Sequence, residues 1–288
     1  MGMLSKLLGT SKPGDDIKQN AMVVGPGGAT YQISGDYHQG LSYTEVKDLM
    51  EQLLEANFPK IQADVEAKSR AYVDELVQGT VIRLNGKVGR ISPEKLAEPD
   101  VQATFNDAVQ SVARKGEKAH IDMLAELLGM LVERDNSDFV DICIEEAVAI
   151  VPKLTAEMLC AMAVIQFTKH LTIKDETSLE SFYEVLYHQY ASKCGQITLT
   201  KLMTIASFGA GTYTNIMGQN TFDEFRKKYS IINTFADPEA SFTETKKTLS
   251  IYDERQLHKL ELNGPGRIIA LTFLQRSFPS LDPKNLLD

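Results

Sequence analysis

Apolar positions recur along most of this chain with helical spacing. Val46, Leu49, Met50, Leu53 and Leu54 fall at i, i+3, i+4, i+7 and i+8, the stripe of a helix with one buried face. Ile121, Leu124, Ala125, Leu128, Leu131 and Val132 form a second stripe, and Val140, Cys143, Ile144, Ala147, Val148 and Val151 a third. Between them "RDNSD" reads as a turn with Ser137 as N-cap; Pro152 ends the third helix, and Thr155 caps another that runs to about His170. "SYTE" (Ser42–Glu45) is a capping box, and "NFP" (Asn57–Pro59) breaks the helix it opens. A second helix is expected over about 60–80, a short one at "SPEKL" with Ser92 as N-cap, and one from about Pro99 to Arg114. Further helices are expected over 176–193, in "TLTKLMTIAS" up to Gly209, in "TFDEFRKKY" and over 238–250. After a turn at Asn263–Pro265 comes a last one, from Gly266 to Arg276. Helices this closely spaced pack as antiparallel hairpins.

One stretch has a different period. Met22–Val24 reads as a short strand and "GPGG" (Gly25–Gly28) as a turn. Then Tyr31, Ile33 and Tyr37 alternate with Thr30, Gln32, Ser34 and Asp36, the period of a strand. The expected fold is therefore mainly α, a multi-helix bundle with a short N-terminal β-hairpin. The chain divides into an arm (1–20), the hairpin (21–40), an N-terminal helical region (41–116) and a C-terminal helical domain (117–288). A two-stranded hairpin alone is marginal in water, and its edges remain open to another chain. Val23, Val24, Tyr31, Ile33 and Tyr37 are the candidate interaction residues, through which residues 22–38 would join copies into a homo-oligomer.

Composition narrows the function classes. Apolar residues make up 43% of the 288 and charged residues 24%, with a net charge of −9. That balance argues against a chain-wide basic footprint for nucleic acid or for anionic lipid. The longest apolar run, Met158–Ile165, is too short to span a bilayer. The amino terminus lacks a signal-peptide pattern, and Lys6 stands where myristoylation of Gly2 needs Ser or Thr. Cys143, Cys160 and Cys194 are odd in number and lack CxxC spacing, which fits core positions in a reducing cytoplasm.

Candidate chemistry is sparse. "GPGG" lacks the lysine and the Ser/Thr of a phosphate loop, and "FGAGTYTN" (Phe208–Asn215) lacks the third glycine and the preceding strand of a dinucleotide fingerprint. His38, His120, His170, His188 and His258 are scattered, and "DNSDFVD" (Asp135–Asp141) lacks the glycine and the closing glutamate of a calcium loop. Its acids suit the positive end of a helix dipole. Phe182, Tyr183, Tyr187 and Tyr190 read as core or helix–helix packing rather than as a base-stacking platform. No catalytic, metal-binding or cofactor-binding residue follows from these patterns.

The segment "HIDMLAELLGMLVERDNSDFVDICIEEAVAIVPKLTAEMLCAMAVI" resembles an uncharacterised family of bacterial helical proteins. It is also similar in layout to abortive-infection-alpha phage-defence proteins: a leucine-rich helix (Leu124–Val132), an acidic turn (Asp135–Asp138), a helix and a further helix start (Leu154–Leu159). "GDYHQGLSYTEVKDL" resembles the segment that precedes the helices in the uncharacterised family. "LNGPGRIIA" (Leu262–Ala270) departs from the "LTPLGxxIA" ending at Asn263, Gly264 and Pro265. The resemblance implies an antiviral-defence component that acts by protein–protein contact as sensor, regulator or scaffold. Its partners would be its own copies, a second defence-system protein or a phage protein. Two alternatives are an effector enzyme (a metal-dependent nuclease or nucleotide hydrolase) and a membrane-disrupting toxin.

Overall fold

The structure, a computed structural model, describes residues 21–24, 30–33, 43–57, 63–87, 90–215 and 220–284. Among them it is mainly helical. The helices are α1 (Tyr43–Asn57), α2 (Ala63–Asn85), α3 (Pro99–Lys115), α4 (Ile121–Leu131), α5 (Asp138–Ile150) and α6 (Ala156–His170), followed by α7 (Leu179–Gln189), α8 (Leu199–Ser207), α9 (Thr221–Lys228), α10 (Pro238–Ser241), α11 (Thr243–Glu254) and α12 (Gly264–Leu274). Strands β1 (Ala21–Val24) and β2 (Thr30–Ile33) precede them, and β3 (Gly211–Tyr213) and β4 (Leu260–Leu262) lie within the helical body.

Two helices form the centre. In α4, nine of eleven residues are buried, all but Asp122 and Glu126. In α6 every residue from Met158 to Thr168 is buried. The apolar run Met158–Ile165 is thus buried within the helical body, and among the described residues no helix is long and apolar enough to cross a membrane. The others wrap this centre: α2 lies along α4, α5 and α12 close its other sides, and α12 also covers α6. Buried apolar residues from Met50 to Phe278 make one contiguous core.

Local chemistry explains most helix ends. The Ser137 hydroxyl accepts from the Val140 amide at 3.4 Å, and the Thr155 hydroxyl from the Met158 amide at 3.2 Å. Ser42 lies outside the described residues, so its capping box does too. Ser92 is not a cap. Its hydroxyl binds the Glu94 carboxylate at 2.7 Å, and only a single 3₁₀ turn follows, at Lys95–Ala97. The helix expected over 176–193 is shortened to α7, with 3₁₀ turns on both sides. That expected over 238–250 is split into α10 and α11.

The β-structure of the helical body is not where the alternation put it. The strand backbones of β1 and β2 run antiparallel, Val23 opposite Tyr31, but most of the expected 21–40 hairpin, Tyr37 included, lies outside the described residues. The sheet built into the helical body is β3 with β4, pairing Gly211 with Leu262 and Tyr213 with Leu260. Neither strand has a period long enough to be read from sequence.

The expected turn at Asn263–Pro265 is instead the start of α12. The Asn263 side chain caps it, accepting from the Gly266 amide at 3.1 Å and donating to the Gly209 carbonyl at 2.7 Å. Pro265 occupies the first turn, where its missing amide costs nothing. A Cβ on Gly266 would sit 1.8 Å from the Ala210 carbonyl oxygen. The start of α12 thus approaches the α8–β3 link too closely for any side chain at this position.

A buried charge ties the end of α4 to distant segments. Glu133 is 2% exposed. Its carboxylate accepts from Lys87 Nζ at 2.7 Å and from Lys284, and Lys284 also donates to Asn136 at 3.2 Å. Burial alone would raise the Glu133 pKa; the hydrogen bonds from Lys284 and Lys87 outweigh it and hold the carboxyl below its ordinary 4.5. A depressed folded pKa means that the stabilisation is complete above about 4.5 and is lost as pH falls through the lowered value.

Two outcomes follow from this packing. Glu133→Gln leaves Lys284 without its counter-ion and Lys87 with only Glu126, at 3.4 Å, and should cost roughly 3 kcal/mol at neutral pH in urea unfolding, the gap to wild type closing in acid. Gly266→Ala should cost about 2 kcal/mol or more by the same measurement, since the Ala210 carbonyl is rigid backbone.

Candidate functional site

The described structure accounts for most of the motifs in packing terms. In "FGAGTYTN", Gly209 has φ of +92° and stops α8, and the chain passes into β3 rather than into a phosphate-binding turn. In "DNSDFVD", Asp141 pairs with Lys95 and accepts from the Asn136 amide at 2.6 Å. Among the described residues no three His, Cys, Asp or Glu side chains are placed to hold a metal. Tyr183 is buried, edge-on to Phe167 and Phe225 at 5.6 Å each, and Tyr190 donates to Ser277 at 2.9 Å. Phe182 stacks on Phe278 at 5.9 Å.

The nearest approach to an acid–base pair lies beside β4. His170 Nε2 stands 3.0 Å from Glu261 Oε1, at an angle short of a hydrogen bond, and Lys169 holds the same carboxylate. Burial lowers the His170 pKa, with Arg267 and Lys169 adding to it against the pull of Glu261. The imidazole is therefore neutral at pH 7, and Glu261 is already taken by Lys169.

The exposed face of α5 is the feature that packing does not explain. Its core stripe is Val140, Cys143, Ile144, Ala147, Val148 and Ile150. Phe139 and Ile142 fall on the opposite side, one turn apart, and each is 56% exposed. The Phe139 ring borders the start of α12, where a Cβ on Gly264 would lie 3.3 Å from it. Acidic groups share this side of the fold: Asp138, Glu145 and Glu146 flank the pair along α5, and Glu98 and Asp100 at the start of α3, which packs on α5, lie near Glu145. None of these five carboxylates takes part in a salt bridge among the described residues, and the nearby Lys95 is committed to Asp141. Burial raises the Glu145 pKa, and the negative charges of Asp100, Asp141, Glu146 and Glu98 raise it further.

This face was missed in sequence although its signal was present. Phe139 and Ile142 are large apolar residues that do not belong to the stripe of their own helix. The sequence-derived candidates were elsewhere. The backbones of Val23, Val24, Tyr31 and Ile33 pair in β1 and β2, their side chains are outside the description, and Tyr37 lies outside the described residues altogether.

The three cysteines are buried. Burial raises the Cys143 and Cys194 thiols and pushes Cys160 up to about 11. Native protein should therefore leave a thiol reagent such as Ellman's unreacted at pH 8, with all three thiols released only in denaturant.

A protein-family model whose description reads only ":-like", words that name no activity, matches residues 40–241. The match takes in α1 to α10 and the α5 face, and it carries no link to phage-defence proteins. No curated protein and no solved structure matches the chain. The chain belongs to this uncharacterised family, with the α5 face inside the part that defines it.

Proposed function

We propose that this protein works by protein–protein contact, as a homo-oligomeric helical scaffold or regulator rather than through a reaction of its own. The observation that carries this reading is the α5 face, where two large apolar side chains stand in solvent, flanked by carboxylates without salt bridges among the described residues. Isolated exposed apolar residues are ordinary, but a neighbouring pair with a charged rim is the anatomy of an interface.

In this reading the assembly of copies is the task of residues 22–38, with Val23, Val24, Tyr31, Ile33 and Tyr37 as contacts, and the α5 face is left for another protein. The pairing of β1 with β2 supports it, since a two-stranded sheet keeps two open edges. The antiviral-defence setting, with a second defence protein or a phage protein as partner, rests on the segment resemblance at 120–165 alone.

Multi-angle light scattering on the full chain tests the assembly. Wild type should run as an oligomer, and Val23→Asp with Ile33→Asp should lower the mass to that of one 32.0 kDa chain. An unchanged mass in the double variant, or a monomeric wild type, removes homo-oligomerisation through this segment.

A further inference from the structure

We infer that the α5 face takes a basic amphipathic helix of a partner protein, with Phe139 and Ile142 as its apolar anchors. The inference rests on the protein–protein reading above and names the chemistry of the partner.

The charge around the anchors selects the occupant. Asp138, Glu145 and Glu146 on α5 and Glu98 and Asp100 on α3 carry no ion pair among the described residues. An isologous contact between two copies through this face would set each set of five against its twin, and like charges in apposition cost several kcal/mol. Nucleic acid and anionic lipid bring more negative charge and are disfavoured on the same ground. A cationic partner gains from all five. It would also relieve the repulsion that, behind burial, raises Glu145.

The geometry selects a helix. The anchors are three residues apart on α5 and so lie side by side along one turn, with carboxylates before them (Asp138), after them (Glu145, Glu146) and, near Glu145, on α3 (Glu98, Asp100). A helix with apolar residues at i, i+3 and i+4, edged by Lys or Arg, presents the matching pattern. Three other exposed apolar residues have neighbours that occupy them. Phe182 is stacked on Phe278, Phe235 is edge-on to Phe242, and beside Met203 the Lys201–Glu157 pair is already closed at 2.5 Å.

Fluorescence anisotropy on the full-length protein tests this, with a labelled amphipathic helical peptide of leucine and lysine as probe and its leucine–glutamate counterpart as control. The lysine peptide should bind at low salt and weaken as salt rises, because exposed charges are screened beyond about 10 Å at 0.1 M. Phe139→Ser with Ile142→Ser should weaken it by about tenfold or more, as the loss of two apolar anchors implies. Glu145→Gln with Glu146→Gln should weaken it at low salt, and Met203→Ser should leave it unchanged. Both anchors are exposed, so the first variant should keep the wild-type thermal melt; if it does not, the glutamine variant decides. Equal binding by the glutamate peptide, no loss in the anchor and glutamine variants, or an equal loss in Met203→Ser overturns the inference. So does a fall in oligomer mass on substituting Phe139 and Ile142, which would make the face a contact between copies. Because assembly is read at Val23 and Ile33, a failed peptide experiment leaves that reading standing.

Discussion

Helices α4 and α6 are buried over most of their length, and the architecture follows from that constraint. A helix that is apolar all round has to be enclosed on every side. Met158 to Thr168 are buried without a break, and in α4 only Asp122 and Glu126 escape. Helix α4 is packed by α2, α5 and α12, and α6 by α12, β4 and α8. Their inward stripes are consumed by the core. Among the described helices, what is left for other molecules is on their outer faces.

Two carboxylates withdrawn from solvent act as cross-links within this packing. Glu133 closes the end of α4 by holding Lys87 from beyond α2 and Lys284 from near the end of the chain. Glu180 does the same between α7 and α11, accepting from the Glu244 and Thr245 amides at 2.7 and 3.2 Å. A carboxylate withdrawn from water is tolerated only when its lone pairs are satisfied, so each site fixes the register of elements far apart in sequence. The free carboxylates around Phe139 and Ile142 are the reverse case. They carry no salt bridge among the described residues, which leaves them available to a cation from outside.

The start of α12 shows how packing and surface are linked. Gly264 and Gly266 let it press against α5 and the Ala210 carbonyl, where a Cβ would collide with Cys143 Sγ or the Ala210 oxygen. That approach carries the α12 start to the edge of the Phe139 ring. The ring is thereby steadied on one side and open on the other, a suitable anchor for a contact.

Periodicity by itself determined the helical class, the stripes of α1, α4 and α5, and the caps at Ser137 and Thr155, because these depend on residues within one or two turns of each other. It also marked Met158–Ile165 as apolar without saying what surrounds it. Only the tertiary structure decided that this run is the centre of the core, that β3 and β4 pair across nearly fifty residues, that Asn263 caps α12 instead of turning the chain, and that 238–250 breaks into two helices. Three-residue strands have no period to read, and a proline in a first turn looks like a loop until the cap is seen. The α5 face was half legible. Phe139 and Ile142 stand off their own stripe in sequence, but the carboxylates that give the face its sign come partly from α3, and only folding brings Glu98 and Asp100 beside Glu145.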